Sequence, residues 1–270
     1  MDTGSAWLVV PSNDLANACT HWRQTDMCEF CKEAVRCMPL TRRGVMQFAT
    51  ATAATFATVR SAPAAKVNAP PKPENVLSPD AALDRLMKGN VRYVDGVSRR
   101  HDFKHEREPL TTGQNPFAAV LSCADSRIAP EYCFDTSRGD IFVCRVAGNI
   151  ASDEMIASLE YTVSVLNTPL IMVLGHESCG AVAAAIKSIK DGTTLPGHLP
   201  SLVDAIAPAV KAVQDQGGDM LTNAIRRNVS LNADKLKSSE PVLKSFAEDK
   251  KIRVVGAIYE LKSGRVELLT

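Results

Sequence analysis

Three short runs of the chain are continuous and largely apolar: FAAVLS at residues 117–122, IFVCRVA at 141–147 and LIMVLG at 170–175. They are rich in β-branched side chains and do not alternate with polar residues. That pattern predicts strands buried on both faces, as parallel strands are. Helical patterns lie between and around them. Residues 78–96 carry Ser78 as N-cap, Pro79 at the first helical position and Asp80 at the positive end of the dipole; Leu83, Leu86 and Met87 fall on one face and Gly96 ends the segment. Residues 152–166 open on Ser152 with Asp153 and Glu154 behind it, and residues 180–192 close on Gly192. Two or three further helices fill 199–250, and the runs around Lys262-Ser263-Gly264 predict a terminal hairpin. Strands that alternate with helices make an α/β domain with a mainly parallel central sheet flanked by helices, here with an N-terminal helical arm and a C-terminal hairpin. Sites in such sheets lie at the carboxyl ends of the strands.

Two of the buried runs end in reactive side chains. The first leads into Cys123-Ala-Asp125-Ser-Arg127 and the third into His176-x-x-Cys179. Two thiolates and an imidazole suit Zn2+, and a catalytic zinc site keeps three protein ligands and one open position. Cys123, His176 and Cys179 are therefore the expected ligands of one Zn2+ per subunit. Asp125 is close enough in sequence to reach the fourth position, and a free carboxylate would close it. Arg127 is spaced to hold Asp125 in a bidentate pair and keep it off the metal, so Asp125 and Arg127 are the expected catalytic pair. Cys133 and Cys144 have no such partners and read as small core residues. His101 and His105, in the charged stretch SRRHDFKHERE, read as part of a solvated loop.

Composition narrows the function. A net charge of +1 and 5% aromatic residues give no basis for nucleic-acid binding, and no apolar run reaches the roughly 20 residues of a membrane-spanning helix. The first part of the chain differs from the rest. No Asp or Glu occurs in residues 34–73, where Arg42 and Arg43 precede an uncharged Ala/Thr-rich run and then Ala62-Pro63-Ala64. Basic, apolar and small residues in that order have the layout of an export signal. The arginine pair points to the twin-arginine route, which carries folded proteins to the periplasm. A basic, acid-poor leader also suits an organelle transit peptide or an untargeted segment of a cytoplasmic protein. Residues 1–37 hold Cys19, Cys28, Cys31 and Cys37 at spacings unlike those of paired zinc ligands; they read as an upstream extension, with the natural start at Met38. The expected organisation is thus 1–37 extension, 38–65 export signal, 66–77 linker and 78–270 domain.

CADSR together with GHESCGAV resembles the β-class carbonic anhydrases, whose signatures are C-x-D-x-R and H-x-x-C. The likeness runs from about Ser78 to Thr270 and takes in ALDRLMKGNVRYVDG, GQNPFAAVLSC, GDIFVCRVAGNI and SLEYTVSVL. The resemblance implies reversible hydration of CO2 to bicarbonate at the Cys123/His176/Cys179 zinc, with Asp125–Arg127 as the catalytic dyad. It implies that Gln114 holds bicarbonate, that Phe142 and Tyr161 line an apolar CO2 pocket, and that Gly180 fits a tight turn after the last ligand. Ala147 stands where many plant-type members carry Val. Arg145 matches the arginine of a regulatory bicarbonate set found in some members, whose Trp is Val120 here. The resemblance also implies a homodimer or homotetramer, with the N-terminal helix reaching onto a neighbour and pocket residues shared between subunits. The same site on carbonyl sulfide or carbon disulfide, and a non-catalytic zinc-stabilised sensor, are the alternative readings.

Overall fold

The computed structural model describes residues 69–269. The expectations for residues 1–37 and for the export signal at 38–65 fall outside that span. Five strands form one sheet: β1 (Ala118–Ser122), β2 (Ile141–Arg145), β3 (Leu170–His176), β4 (Arg253–Tyr259) and β5 (Val266–Leu268). Their order is β2-β1-β3-β4-β5. The first four run parallel, and β5 pairs antiparallel with β4 as the expected hairpin.

β1 and β3 are buried at every position, as their unbroken apolar runs require. Alternate residues serve different layers. Ala119, Leu121, Ile171 and Val173 join a core with α3 (Asp153–Ser164), α4 (Gly180–Asp191), α5 (Leu199–Lys211), α6 (Met220–Ser238) and α7 (Val242–Glu248). Ala118, Val120, Leu170, Met172 and Leu174 join a second core with α1 (Pro79–Val94) and the single turn α2 (Pro130–Cys133). Helices thus cover both faces, the arrangement that parallel sheets need. Among the described residues no helix is long and apolar enough to cross a membrane.

The caps hold with one difference. The Ser78 hydroxyl accepts the Ala81 N–H at 3.3 Å, and Gly192 ends α4 in the left-handed region at φ 61°. Ser152 occupies the N-cap of α3, but its hydroxyl donates to the Glu154 carboxylate at 2.9 Å and caps no backbone N–H. α2, which the apolar pattern did not announce, is four residues long and too short to show a helical period. Residues 72–77, counted in the linker, are tied to the domain. Lys72 N–H donates to Asn115 Oδ1 at 3.0 Å, the Lys72 ammonium pairs with Asp140, and Asn75 is buried against Gly139 and Asp140.

Candidate metal centre

β1 and β3 are neighbours in the sheet but not in the sequence, and β2 lies on the far side of β1. The chain leaves β1 toward one edge, and β3 begins the growth toward the other, so the carboxyl ends of β1 and β3 flank the switch point at which open α/β sheets bind ligands. Cys123 follows β1 directly, and His176 is the last residue of β3. One turn after His176, Cys179 stands at the N-cap of α4. Its side chain caps no backbone N–H of that helix. The turn between these two ligands is closed by Ser178 at φ 53°. The resemblance put Gly180 at a tight turn after the last ligand, Cys179, just beyond this one. Gly180 is the first residue of α4, has no positive φ, and a Cβ there would meet nothing within 4 Å.

The donor atoms of Cys123, His176 and Cys179 all lie within 4.8 Å of one another, and all three residues are buried. Among the described residues no other set of three His, Cys, Asp or Glu converges in this way. His176 shows what the cluster is built to hold. Its Nδ1 lies 2.8 Å from the Glu177 carbonyl oxygen, which can only accept, so Nδ1 carries the proton and Nε2 presents a lone pair. That Nε2 is fully buried and has no hydrogen-bond partner, an arrangement costly to leave uncompensated. A cation would compensate it. A tetrahedral zinc with bonds of about 2.0–2.3 Å separates its ligands by roughly 3.3–3.8 Å, which this cluster accommodates. The two thiols reinforce the point. Cys179 hydrogen-bonds Cys123 and thereby holds its thiol well below the ordinary value, helped by His176 and the Gly148 amide, while the same contact pushes Cys179 up. A divalent ion between the two sulfurs would take the place of their thiol protons.

Asp125 and Arg127 sit at the rim of this cluster. Asp125 Oδ1 accepts the Arg127 backbone N–H at 2.9 Å, a turn that needs an acceptor side chain two residues before its donor, and this accounts for the D-x-R spacing. The guanidinium then adds a fork: Nε donates to Oδ1 at 2.9 Å and Nη2 to Oδ2 at 2.7 Å. Nη2 also reaches the Ser178 carbonyl at 3.2 Å and so ties the β1 loop to the β3 loop. Arg127 holds the Asp125 carboxyl well below the usual carboxylate range. Asp125 Oδ2 lies 3.8 Å from His176 Nε2, on the lone-pair side of the imidazole.

Other expected residues lie elsewhere. Gln114 precedes β1, at the opposite end of that strand from Cys123, and lines a surface cavity of about 570 Å³ with Arg107, Leu110 and Arg138. Phe142 is half-buried in β2 against the α3–α7 core. Tyr161 stands on α3 and is 47% exposed. Within one chain, the described contacts bring none of the three to the ligands. Cys133 and Cys144 are buried core thiols, both pushed up by burial, as read from the sequence. His105 pairs with Asp102 on the surface, and His101 contacts Ser137 and stacks on Phe103. Two contributors were not legible as such. Arg145 donates from Nε to the Cys123 carbonyl at 3.0 Å and from Nη2 to the Asp125 carbonyl at 2.7 Å, clamping the turn that carries the dyad. Gly148 donates its N–H to Cys123 Sγ at 3.3 Å; the Gly-Asn pair at 148–149 marks a turn there, though nothing in the spacing says where the turn points.

The family profile described as "Carbonic anhydrase" matches residues 118–266. "Carbonic anhydrase 2" of Mycobacterium tuberculosis is 38% identical over 192 residues, covering 71% of this chain and 93% of that protein. The solved beta-carbonic anhydrase CcaA is 26% identical with a TM-score of 0.55, over 70% of this chain and 92% of that one. The chain belongs to the β-carbonic anhydrase family. The carbonic anhydrase fold is also shared with structures titled as two tetrameric beta-carbonic anhydrases of Sordaria macrospora, one of them 22% identical with a TM-score of 0.57 over 70% of this chain and 97% of that one.

Proposed function

We propose that Cys123, His176 and Cys179 hold one Zn2+ per subunit, and that this protein uses it for the reversible hydration of CO2, CO2 + H2O ⇌ HCO3⁻ + H⁺. The observation that carries the reading is the buried convergence of those three donors beside a carboxylate forked by an arginine. Bound there, zinc supplies a Lewis acid that brings the pKa of a coordinated water to about 7. The protein's own groups do the rest. His176 is fixed in the ligand tautomer by Glu177. Asp125, kept ionised by Arg127, would accept a hydrogen bond from the attacking water beside the ligand cluster and so orient it. Arg127 occupies both carboxylate oxygens and prevents Asp125 from becoming a fourth ligand.

Gln114 and Tyr161 sit away from the ligands of their own chain. We take them as supplied to the site of a second copy, in a homodimer or homotetramer, with Gln114 on bicarbonate and Tyr161 and Phe142 facing CO2. We also keep the export signal at 38–65 as a proposal; fractionation that finds the protein only in the cytoplasm removes it. The central test is Arg127→Ala in the full chain, with metal content and CO2 hydration measured together by stopped flow. Zinc at one per chain with activity reduced by roughly 10²–10³-fold is expected, the size of loss seen when one group positioned at the reacting centre is removed. Wild-type turnover in that variant refutes the dyad, and wild-type protein free of metal refutes the site.

A further inference from the structure

α6 packs in the same core as the metal centre and holds the loop that contacts Cys123. Its seat is fixed by Val229, which is fully buried in a notch made by two glycines: a Cβ on Gly175 would stand 2.4 Å from Val229 Cγ2, and one on Gly256 2.9 Å from Cγ1. Next to Val229, Asn228 Nδ2 donates to the Gly148 carbonyl at 2.8 Å. One turn on, Asn232 Oδ1 accepts the Ala151 N–H at 2.7 Å, and Lys235 Nζ donates to the Ala151 carbonyl at 2.7 Å. Asn232 Nδ2 in turn donates to Asn228 Oδ1 at 3.2 Å, which fixes the Asn228 amide with its NH2 toward Gly148. Both asparagines are buried. Gly148 itself sits at φ 76°, a conformation that favours glycine, and a Cβ there would stand 2.7 Å from Ile206 Cδ1. Held on its carbonyl side, Gly148 points its N–H at Cys123 Sγ, 3.3 Å away.

We infer that Asn228, backed by Asn232 and Lys235, is a positioning residue for the metal thiolate: it sets the Gly148 N–H···Sγ hydrogen bond that tempers the donor strength of Cys123. A thiolate that accepts an N–H gives less electron density to its metal and is held in one orientation, and partners at this remove from a metal typically control its affinity by 10–100-fold. The three brace contacts carry no metal ligand and no substrate group. Their convergence on a single loop, through buried amides with every bond made, is what a structural filler would not require.

The inference rests on the zinc reading above, and the test separates the two. Full-chain protein is loaded with Co2+, and its thiolate-to-cobalt charge-transfer band is recorded beside zinc retention against a competing chelator. The variants are Asn228→Asp, which removes the donor at constant shape, and Lys235→Met, which releases the other end of the loop. Leu236→Ala loosens the packing of the same helix and leaves the brace intact. Expected are a band moved to lower energy in Asn228→Asp, with zinc held roughly 10–100-fold less tightly because the lost orientation of the thiolate outweighs its stronger donation, a smaller band shift in the same direction in Lys235→Met, and a wild-type band in Leu236→Ala. Bands unchanged in both brace variants overturn the inference and leave the zinc site standing, as does an equal shift in Leu236→Ala. A wild-type protein that shows no thiolate-to-cobalt band overturns both.

Discussion

Gly175 is the residue before the imidazole ligand, and its missing side chain is a claim that can be measured. Its backbone is ordinary strand, without a positive φ, so alanine at 175 meets no conformational penalty and restricts the unfolded chain, a gain of about 0.4–1 kcal/mol. The added methyl also buries apolar surface worth about 0.8 kcal/mol. Against this stands a contact of 2.4 Å with Val229 Cγ2 and one of 3.1 Å with Ile258 Cδ1, where carbon atoms prefer about 3.5–4.0 Å. Val229 has no freedom to retreat, because its other methyl already faces Gly256. Overpacking of this kind costs about 1–3 kcal/mol net, or a fall in melting temperature of roughly 2–12 °C for a domain of this size. Val229→Ala alone removes two buried methyl groups and costs about 1.5–2 kcal/mol at about 0.8 kcal/mol each. Combined, the two changes relieve the clash, so the double variant is expected to be more stable than the sum of the singles by about 1–3 kcal/mol. Thermal unfolding of the four proteins at one fixed metal content, needed because bound metal itself adds stability, gives the cycle. Additive losses, or a Gly175→Ala protein that melts with the wild type, refute the notch.

Cys123→Ser is expected to lose its zinc and its CO2 hydration while keeping the circular dichroism of the fold, because a hydroxyl does not replace a thiolate ligand; metal retained at one per chain contradicts the ligand assignment. Stability should also fall in alkali. Cys133 and Tyr259 are both pushed up, chiefly by burial, and a group whose folded pKa exceeds its unfolded value contributes stability that is complete below the unfolded pKa and lost as pH rises beyond it. The urea midpoint is therefore expected to hold level up to about pH 8.5 and then decline, less steeply in Cys133→Ala; parallel curves for the two proteins would show that the buried thiol plays no part.

What the sequence disclosed and what it hid follow from the range of the forces involved. The strand runs were legible because burial on both faces excludes polar residues from every position, and β1 and β3 are indeed buried throughout. Asp125 and Arg127 were legible because their interaction is local: the turn and the fork are made within three residues. Cys123, His176 and Cys179 were legible as chemistry, and their meeting followed once both segments were placed at strand ends. The turn between His176 and Cys179 rests on Ser178, a short polar residue that tolerates the left-handed conformation, and no residue type there marks it in the sequence. Arg145, Asn228 and Asn232 were opaque for a different reason. Each serves the site by binding a backbone carbonyl or amide, and every residue offers those groups, so no spacing or residue type identifies the partner. The anchoring of residues 72–77 through Asn75 and Asp140 was hidden in the same way.

The placement of the centre has a topological cause that the ligand motifs alone do not supply. If β3 had followed β2 at the same edge of the sheet, the loops after β1 and β3 would not adjoin. The observed order puts them side by side while their chains depart differently, the β1 loop into α2 and the β3 loop into α4. A crevice must open between two such loops, and a crevice at the end of a buried sheet is lined by whatever residues terminate the strands. Here Cys123 and His176 stand at the strand ends and Cys179 at the start of α4, and a polar contact that spans the gap is Arg127 Nη2 to the Ser178 carbonyl. The same guanidinium holds Asp125, so the contact that joins the two loops also fixes the carboxylate beside the ligand cluster. Removing that one side chain would therefore loosen the join between the loops and free the carboxylate together.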